Sequence, residues 1–521
     1  MSLKYVSSRF EDLSFSIQKK GIPYFLVQDF KLFNRLYLGS RACLLMSLIV
    51  LNGYCTQFAW GAGIEFPGQG TASAMRGGAD VAGVHQPTAG FLNPGNLSRL
   101  KGLQLTYQHA LIWSNIEFNR ASSAVPQIPE DPLFPNVGQG SSKNQEPLFP
   151  LNGLLAVSYQ LNPQWTLGLS IHGPNGSGSS DFSKTGSQRY MMTGLEGLMG
   201  FIGGSVAYGQ TNWGIGATVQ YAAMPSLKYR LIVDGQNNSQ LNPYLSTWDV
   251  EAEVDVSDYT AYSAIIGGWY QFSPSFEVAF SGRVIPVHFN TEGTVRILDS
   301  PTQPAYSDEL LEIDGGDAGF ELSLPRTTRL GFRYKHYDEP VKTVDQKERF
   351  DLELAVVYEE WSTVDVFNVD LEGKLDLFND PLIDVQIPKK WKDTWSTRLG
   401  GTYNVNSAFS VSLGGFWEQG TSPKEYAHVD FPSFDRWGMA SGVSYSIDSR
   451  FTLMLAFMHI FESSSEVSET YAKVFQQRPI APCPDFCGMN DQGQNYSGVP
   501  ANAGKISASF QSVSFGIQAQ F

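Results

Sequence analysis

KISASFQSVSFGIQAQF, residues Lys505–Phe521, is the last stretch of the chain, and its side chains alternate between apolar and polar. Val513, Phe515, Ile517 and Ala519 share one face of the predicted strand, because successive side chains point to opposite faces. An apolar lipid face, a polar lumen face and a terminal aromatic residue are typical of the last strand of an outer-membrane barrel. An edge strand of a soluble sandwich shows the same alternation, so this stretch alone leaves that alternative open.

The composition favours an all-β membrane protein over other classes. No stretch after residue 62 has the roughly 18 to 20 consecutive apolar residues that a membrane-spanning helix requires. The net charge of −15 argues against nucleic acid as a partner, because phosphate contacts require clustered Lys and Arg. The sequence therefore predicts a multi-pass β-barrel in the outer membrane of a Gram-negative cell, with membrane lipid and lipopolysaccharide around it.

Residues 1–61 are predicted to be a leader and signal peptide. An apolar run, Ala42–Leu51, precedes the small-x-small cleavage site Ala59–Gly61. The mature chain would then begin at Ala62. Residues 1–34 have no part in this signal, which indicates either an upstream start codon or an unusually long leader.

Cys483 and Cys487 are the cysteines of the predicted mature chain. In an oxidising compartment, two cysteines four residues apart in a loop favour a local disulfide. A zinc site is the alternative, but two further ligands at suitable spacing are missing. The sequence predicts neither a metal site nor a cofactor.

The region from residue 103 to residue 521 is predicted to form a barrel of fourteen antiparallel strands. Short turns are indicated at residues 162–163, 210–212, 273–274, 337–343, 404–407 and 447–449. Long loops are indicated at residues 119–150, 174–198, 234–247, 298–318, 371–390, 420–433 and 463–504. Seven long loops and six short turns give an even number of strands with both chain ends on the short-turn side, which is the bacterial outer-membrane pattern.

The predicted strand Phe451–Phe461 departs from this alternation because both of its faces are apolar. Met454 and Met458 occupy the face that should line the lumen. Apolar ligands favour concave apolar walls, so these two methionines are candidate contacts for an apolar cargo. The alternative is that the segment preceding the barrel packs against this strand.

Residues 62–102 have no strand period and are rich in Gly, Ala and polar residues. So short a segment is too small for an independent core, and the lumen of a large barrel is wide enough to need a plug. Phe91, Leu92 and Leu97 require burial. We therefore predict an N-terminal hatch inside the barrel, in preference to a disordered periplasmic tail.

Short motifs recur in order along the chain: Ala62–Phe66, Asn93-Pro94-Gly95, Leu322–Gly331, Tyr358–Ser362, Trp391–Asp393, Leu399–Gly400, Ser422–Pro423, Asp435–Arg436 and Gly442–Tyr445. Together they resemble the long-chain fatty acid transport porins of Gram-negative outer membranes, the FadL type, whose relatives carry toluene and similar hydrocarbons. In this family the hatch motif is Asn-Pro-Ala, and Gly95 stands here in place of the alanine. The resemblance covers residues 62–521.

The resemblance implies a passive transporter with a plugged barrel and no enzymatic step. Its cargo is expected to leave sideways into the membrane, through a gap beside a kinked third strand. Gly173-Pro174 ends the third predicted strand and is the candidate for this kink, because proline cannot donate to the ladder and glycine marks bulges. An ordinary loop start is the alternative.

Four cations are candidates for binding a carboxylate head group. Arg230 resembles the family's head-group arginine and has Lys228 beside it, while Lys389 and Lys390 lie near the family's second basic position. One charge-assisted pair contributes roughly 1.5 to 3 kcal/mol, whereas each buried methylene contributes roughly 0.8 kcal/mol. The tail therefore dominates affinity and the cation orients the cargo. For each cation the alternative is a solvated side chain at the base of a loop.

A second group of charges is predicted to be structural. Arg329, Arg333, Asp351, Glu353 and Arg398 fall on the inward faces of three successive predicted strands. Neighbouring strands bring such side chains within pairing distance. We expect a salt ladder in the lumen that also anchors the hatch.

The predicted function is passive transport of long-chain fatty acids or similar hydrophobic molecules across the outer membrane. An uptake channel for aromatic hydrocarbons and a general polar porin are the alternatives. An enzyme is disfavoured because the sequence has neither a Gly-x-Ser-x-Gly elbow nor a His-Glu-x-x-His pair. The last strand is expected to engage the barrel-assembly machinery.

Overall fold

The computed structural model describes residues 63–121, 138, 140–176, 178–234, 249–299, 313–341, 348–375, 380–382, 384–477, 488–489, 495–496 and 500–521. The predicted leader and the predicted disulfide between Cys483 and Cys487 lie outside these residues. Among the described residues, no helix is both long enough and apolar enough to span a bilayer.

Fourteen antiparallel strands form a closed barrel, as the sequence predicted. The strands are β1 (Leu103–Arg120), β2 (Leu148–Gln160), β3 (Trp165–His172), β4 (Gly194–Gly209), β5 (Trp213–Asp234), β6 (Asp249–Ser273), β7 (Phe276–Ile285 and Val287–Asp299), β8 (Asp317–Leu324 and Thr327–His336), β9 (Phe350–Glu359), β10 (Thr394–Asn404), β11 (Phe409–Glu418), β12 (Arg436–Ser446), β13 (Phe451–Glu462) and β14 (Gly504–Gln520). Each strand pairs with its neighbour in the chain, and β14 pairs with β1 along its whole length, which closes the sheet.

The alternation of the last strand is confirmed by the burial of its side chains and of those opposite. Phe515 and Ile517 are exposed on the outer surface, where they pair with His109 and Tyr107 of β1. Between them on β1, Gln108 is buried on the inner face. A lipid-facing belt and a polar interior therefore follow directly from the period of two.

Several strands continue beyond the bilayer. β6 has 25 residues, whereas roughly 9 to 11 residues are enough to cross the hydrocarbon core. A short hairpin of Val366–Leu371 and Val385–Pro388 pairs with β8 and adds to the part of the barrel that lies beyond the bilayer. The extensions on the long-loop side carry the residues that surround the candidate site.

Residues 63–102, the N-terminal segment, contact inward-facing residues of strands around the barrel. This segment contains two short helices, α1 (Thr71–Ala74) and α2 (Ala89–Leu92), and a 3₁₀ helix (Pro94–Arg99). Phe91, Leu92 and Leu97 are buried. Their burial against the barrel supplies the core that so short a segment cannot build for itself.

The Asn93-Pro94-Gly95 turn lies directly against the wall of the barrel. Asn93 accepts a hydrogen bond from the Gly95 amide at 3.1 Å and donates to the carbonyls of Val81 at 2.7 Å and Gly268 at 3.2 Å. A Cβ atom at Gly95 would lie 2.6 Å from the Cα atom of Gly268. Glycine at this position therefore permits the close approach of the two backbones.

Candidate cargo site

The third strand is interrupted where the sequence predicted a kink. His172 pairs with Phe201 of β4, and pairing resumes at Ser179, which lies opposite Glu196. Between these two pairs the chain has six residues after β3 and four residues on β4. Gly173 and Pro174 begin this interruption, and their role in a lateral opening remains a prediction.

An apolar chamber lies beside the interruption and includes Gly173 and Pro174 in its walls. The other large side chains of its lining are Ile64, Phe149, Leu195, Leu198, Met199, Met224, Leu227, Leu322 and Phe431. They come from the N-terminal segment, from β2, β4, β5 and β8, and from the loop between β11 and β12. No charged side chain is among the described residues that line the chamber, so its walls favour an apolar molecule.

The interruption leaves backbone groups of the chain after β3 without hydrogen-bond partners in the sheet. The N-terminal segment supplies partners for several of them. The Phe66 amide donates to the Asn175 carbonyl at 2.5 Å, and the Asn175 side chain donates to the carbonyls of Phe66 at 2.9 Å and Pro67 at 3.0 Å. Gln69 donates to the Gly173 carbonyl at 2.7 Å. Since buried backbone groups require partners, these contacts stabilise the interrupted conformation.

Three of the predicted head-group cations are partly exposed and already paired. Arg230 lies 2.7 Å from Glu196, and Lys228 lies 3.6 Å from Asp255. Lys390 forms a 2.7 Å pair with a carboxylate of its own loop region. None of the three lines the apolar chamber. The structure therefore places them around the rim of the barrel and outside the chamber.

Lys389 belongs to a buried polar cluster behind one wall of the chamber. Its Nζ atom lies 2.8 and 2.6 Å from the two carboxylate oxygens of Asp430. Tyr229 donates to Asp430 at 3.2 Å, and the Nδ1 atom of His428 lies 2.9 Å from it. The amide of Phe431, which lines the chamber, donates to the same carboxylate at 2.6 Å. The cluster therefore fixes the position of a chamber wall.

The charges of this cluster explain the ionisation of Asp430. Burial alone would raise the pKa of this carboxyl group, but His428 and Lys389 beside it hold the pKa below its usual range. The stabilisation that this ionised carboxyl group contributes is therefore fully present above the ordinary pKa of an aspartate. It is lost only in strong acid, as the pH falls through the lowered pKa.

Substituting Lys389→Met is expected to destabilise the loops by roughly 3 to 5 kcal/mol, because the buried Asp430 carboxylate loses its lysine partner. The double variant Lys389→Met with Asp430→Leu removes both charges and should regain most of the stability that the single variant loses. Thermal unfolding of the purified variants measures this difference, and cargo uptake by the double variant tests the role of the cation. Wild-type uptake by a stable double variant would show that Lys389 does not bind the head group of the cargo.

Met454 and Met458 contact the N-terminal segment. Gln86 donates to the sulfur of Met454 at 3.0 Å, and a Cβ atom at Gly68 would lie 2.8 Å from the terminal carbon of Met458. Both methionines are buried, and neither lines the apolar chamber. The sequence left two alternatives for the inner face of this strand, contact with cargo or contact with the segment that precedes the barrel. The structure shows contact with that segment.

Two members of the predicted salt ladder pair between neighbouring strands. Arg333 lies 2.7 Å from Asp351. Arg329 and Arg398 have other partners, since Arg329 lies 3.9 Å from Asp80 and Arg398 lies 3.5 Å from the Glu418 carboxylate. The ladder therefore draws on acidic residues that the sequence analysis did not select.

Arg76 of the N-terminal segment also forms ion pairs that the sequence did not predict. It lies 2.8 Å from Asp351 and 3.3 Å from Glu353, and all three side chains are buried. Glu353 in addition accepts hydrogen bonds from the amides of Ala82 at 2.8 Å and Gly83 at 2.7 Å. These contacts fasten the N-terminal segment to β9, and no local pattern in the sequence marks Arg76 for this part.

The fold and the site define a class: a fourteen-stranded outer-membrane barrel with an interrupted third strand and an apolar chamber beside the interruption. The sequence profile of the outer membrane protein transport protein family (OMPP1/FadL/TodX) matches residues 53–482, and the chain belongs to this family. Among curated proteins, none matches this sequence significantly.

Solved structures of this family have the same fold. A Pseudomonas aeruginosa FadL homologue is 15% identical and superposes with a TM-score of 0.64, over 89% of this chain and 100% of the homologue. The Ralstonia pickettii toluene transporter TbuX and the P. putida toluene transporter TodX are each 14% identical, with TM-scores of 0.58 over 88% of this chain and 99% of theirs. At these identities the likeness concerns the fold alone.

Proposed function

We propose that this chain carries long-chain fatty acids or similar hydrophobic molecules passively across the outer membrane. In this proposal residues 62–102 are the hatch, and the interruption of the third strand is the lateral exit into the bilayer. The observation that carries the proposal is the apolar chamber that includes Gly173 and Pro174 in its lining. The family to which the chain belongs consists of transporters of hydrophobic compounds, which supports the same function.

The chamber suits passive transfer because its interaction with cargo is mainly apolar burial. Each methylene that leaves water for the chamber contributes roughly 0.8 kcal/mol. A molecule that passes from the chamber into lipid keeps this apolar environment. The route therefore requires no chemical step, and the cargo avoids a return to water.

Neutral hydrocarbons are a second candidate cargo, favoured by one observation. The described lining of the chamber has no charged side chain, and Lys389 and Arg230 are paired with carboxylates of the protein. An ionised carboxylate in such a chamber would lack a counter-charge, which is costly. Two similar structures are those of toluene transporters, which is consistent with this candidate.

The proposal is tested by uptake of labelled oleate and of a labelled neutral hydrocarbon, in Gram-negative cells that lack their own hydrophobe channels and express this chain. Uptake of oleate assigns fatty acids, and uptake of the hydrocarbon alone assigns the second candidate. Heat-modifiable gel mobility reports that the barrel is folded. A folded barrel that carries neither compound contradicts the proposal.

Leu227 provides a sharper test, because it lines the chamber and is buried on β5. Leu227→Asp should lower uptake about tenfold or more, since a carboxylate in the apolar chamber repels apolar cargo. Leu227→Met conserves volume and apolarity and should retain uptake within about twofold. Equal uptake by the two folded variants would exclude the chamber from the route.

A further inference from the structure

His109 is an ionisable side chain on the lipid-facing surface of β1. Leu105 and Tyr107 precede it on the same face and are 40% and 43% exposed. The imidazole ring packs against the ring of Tyr107, with centroids 6.5 Å apart, and that of Phe515, 5.5 Å apart. Ionisable residues at lipid-facing depth are costly, so such a position is a candidate for a function.

The imidazole of His109 keeps its hydrogen-bonding capacity. None of the hydrogen bonds or ion pairs found among the described residues involves it. A neutral imidazole has one donor and one acceptor nitrogen. Both are therefore available to a molecule that arrives along the outer surface of the barrel.

The interruption of the third strand begins two strands from His109. His109 pairs with Gly153 of β2, and the next residue, Leu154, pairs with His172 at the end of β3. At the spacing of neighbouring strands, His109 lies about 10 Å from Gly173 along the outer surface. Gly173 also belongs to the lining of the apolar chamber.

On the side of His109 that faces the interruption, glycine stands at positions 153 and 173. A Cβ atom at Gly153 would lie 3.6 Å from the Nδ1 atom of His109 and within 4 Å of no other atom beyond its own neighbours. A Cβ atom at Gly173 would meet only the Met199 carbonyl, at 3.3 Å. The space next to the imidazole nitrogen is therefore not filled by side chains at these two positions, although the exposed side chains of Leu155 and Ile171 flank it on the same face.

We propose that His109 receives the polar end of an amphipathic cargo as the cargo leaves the interruption for the bilayer. This inference rests on the proposed function and narrows its substrate class to long-chain molecules that end in a hydroxyl or a protonated carboxyl group. Such a group is destabilised in hydrocarbon when it lacks a hydrogen-bond partner, and the imidazole supplies one. A neutral hydrocarbon has no group that His109 recognises, so its transfer is independent of this residue.

The chain offers a matched control in His459 of β13. His459 also faces outward, and its ring contacts that of Phe461 with centroids 4.0 Å apart. It pairs with Met439 of β12 and Gln511 of β14. Neither of these strands borders the interruption, which lies between β3 and β4. A general effect of removing a lipid-facing histidine would appear at both positions.

The experiment compares initial uptake of labelled oleate and of labelled hexadecane by cells that express the wild-type chain, His109→Phe, His109→Gln or His459→Phe. His109→Phe is expected to lower oleate uptake at least about fivefold, as the loss of one hydrogen bond implies, and to leave hexadecane uptake unchanged. His109→Gln keeps a donor and an acceptor and should retain most oleate uptake, and His459→Phe should resemble the wild type.

The other outcomes are distinguishable. Equal losses of both cargoes in His109→Phe, or undiminished oleate uptake, overturn the role of His109. A wild-type chain that carries hexadecane and excludes oleate overturns this inference and leaves the proposed transport in place. A wild-type chain that carries neither compound contradicts the proposed function itself, and the inference with it.

Discussion

Deletion of Pro174 and Asn175 is expected to reduce uptake of hydrophobic cargo to the background of cells without the chain. Across the interruption the chain has six residues after β3 and four residues on β4, a difference of two. Removing two residues lets the register of His172 with Phe201 continue without a break to Ser179. A continuous ladder would close the chamber toward the lipid.

Asn175→Ala is the matched control for this deletion. It removes the side-chain hydrogen bonds to Phe66 and Pro67 but keeps the length of the interrupted segment. Uptake by Asn175→Ala is expected to fall much less than that of the deletion variant, because the interrupted segment keeps its length and residue 175 keeps its backbone hydrogen bond to Phe66. If the folded deletion variant transports at the wild-type rate, the cargo does not leave through the interruption.

Substitution of Arg76→Ala is expected to release the N-terminal segment from the wall of the barrel. Arg76 is buried, and its loss leaves the buried carboxylates of Asp351 and Glu353 without this counter-charge. Removal of one partner from a buried ion pair costs about 3 to 5 kcal/mol. Thermal unfolding should register this loss, and conductance in planar bilayers should rise because a loosened segment obstructs the lumen less.

Arg326→Ala is the matched control for Arg76→Ala. The exposed Arg326 guanidinium lies 3.8 Å from the Glu360 carboxylate. Exposed pairs contribute about 0 to 1 kcal/mol, so this variant should unfold nearly as the wild type does. Unchanged conductance and unchanged unfolding in Arg76→Ala would show that Arg76 does not anchor the segment.

The barrel was predictable because the membrane imposes a short period on the sequence. Each spanning strand meets lipid on one side and the lumen on the other, so the exposed Tyr107 and the buried Gln108 follow each other along β1. Gly173-Pro174 was recognisable for a local reason as well, since proline cannot donate to a ladder. Both signals lie within a few consecutive residues.

The contacts of the site were less predictable because they join distant parts of the chain. Arg76 and Asp351 are 275 residues apart in sequence, and no local pattern relates them. Lys389 is visible as a cation, but the sequence does not reveal that Asp430 neutralises it. In the same way, Met454 and Met458 are visible as apolar lumen positions, whereas their contact with the N-terminal segment depends on how that segment folds.

Occupation of the apolar chamber by cargo is open to a direct measurement. The purified protein in lipid nanodiscs is photolabelled with a diazirine-bearing long-chain fatty acid, and the labelled peptides are identified by mass spectrometry. We expect saturable labelling at chamber residues such as Phe149, Met224 and Leu227, which excess unlabelled cargo prevents. Labelling spread over the lipid-facing belt, with no competed site in the chamber, would show that the cargo does not occupy the chamber.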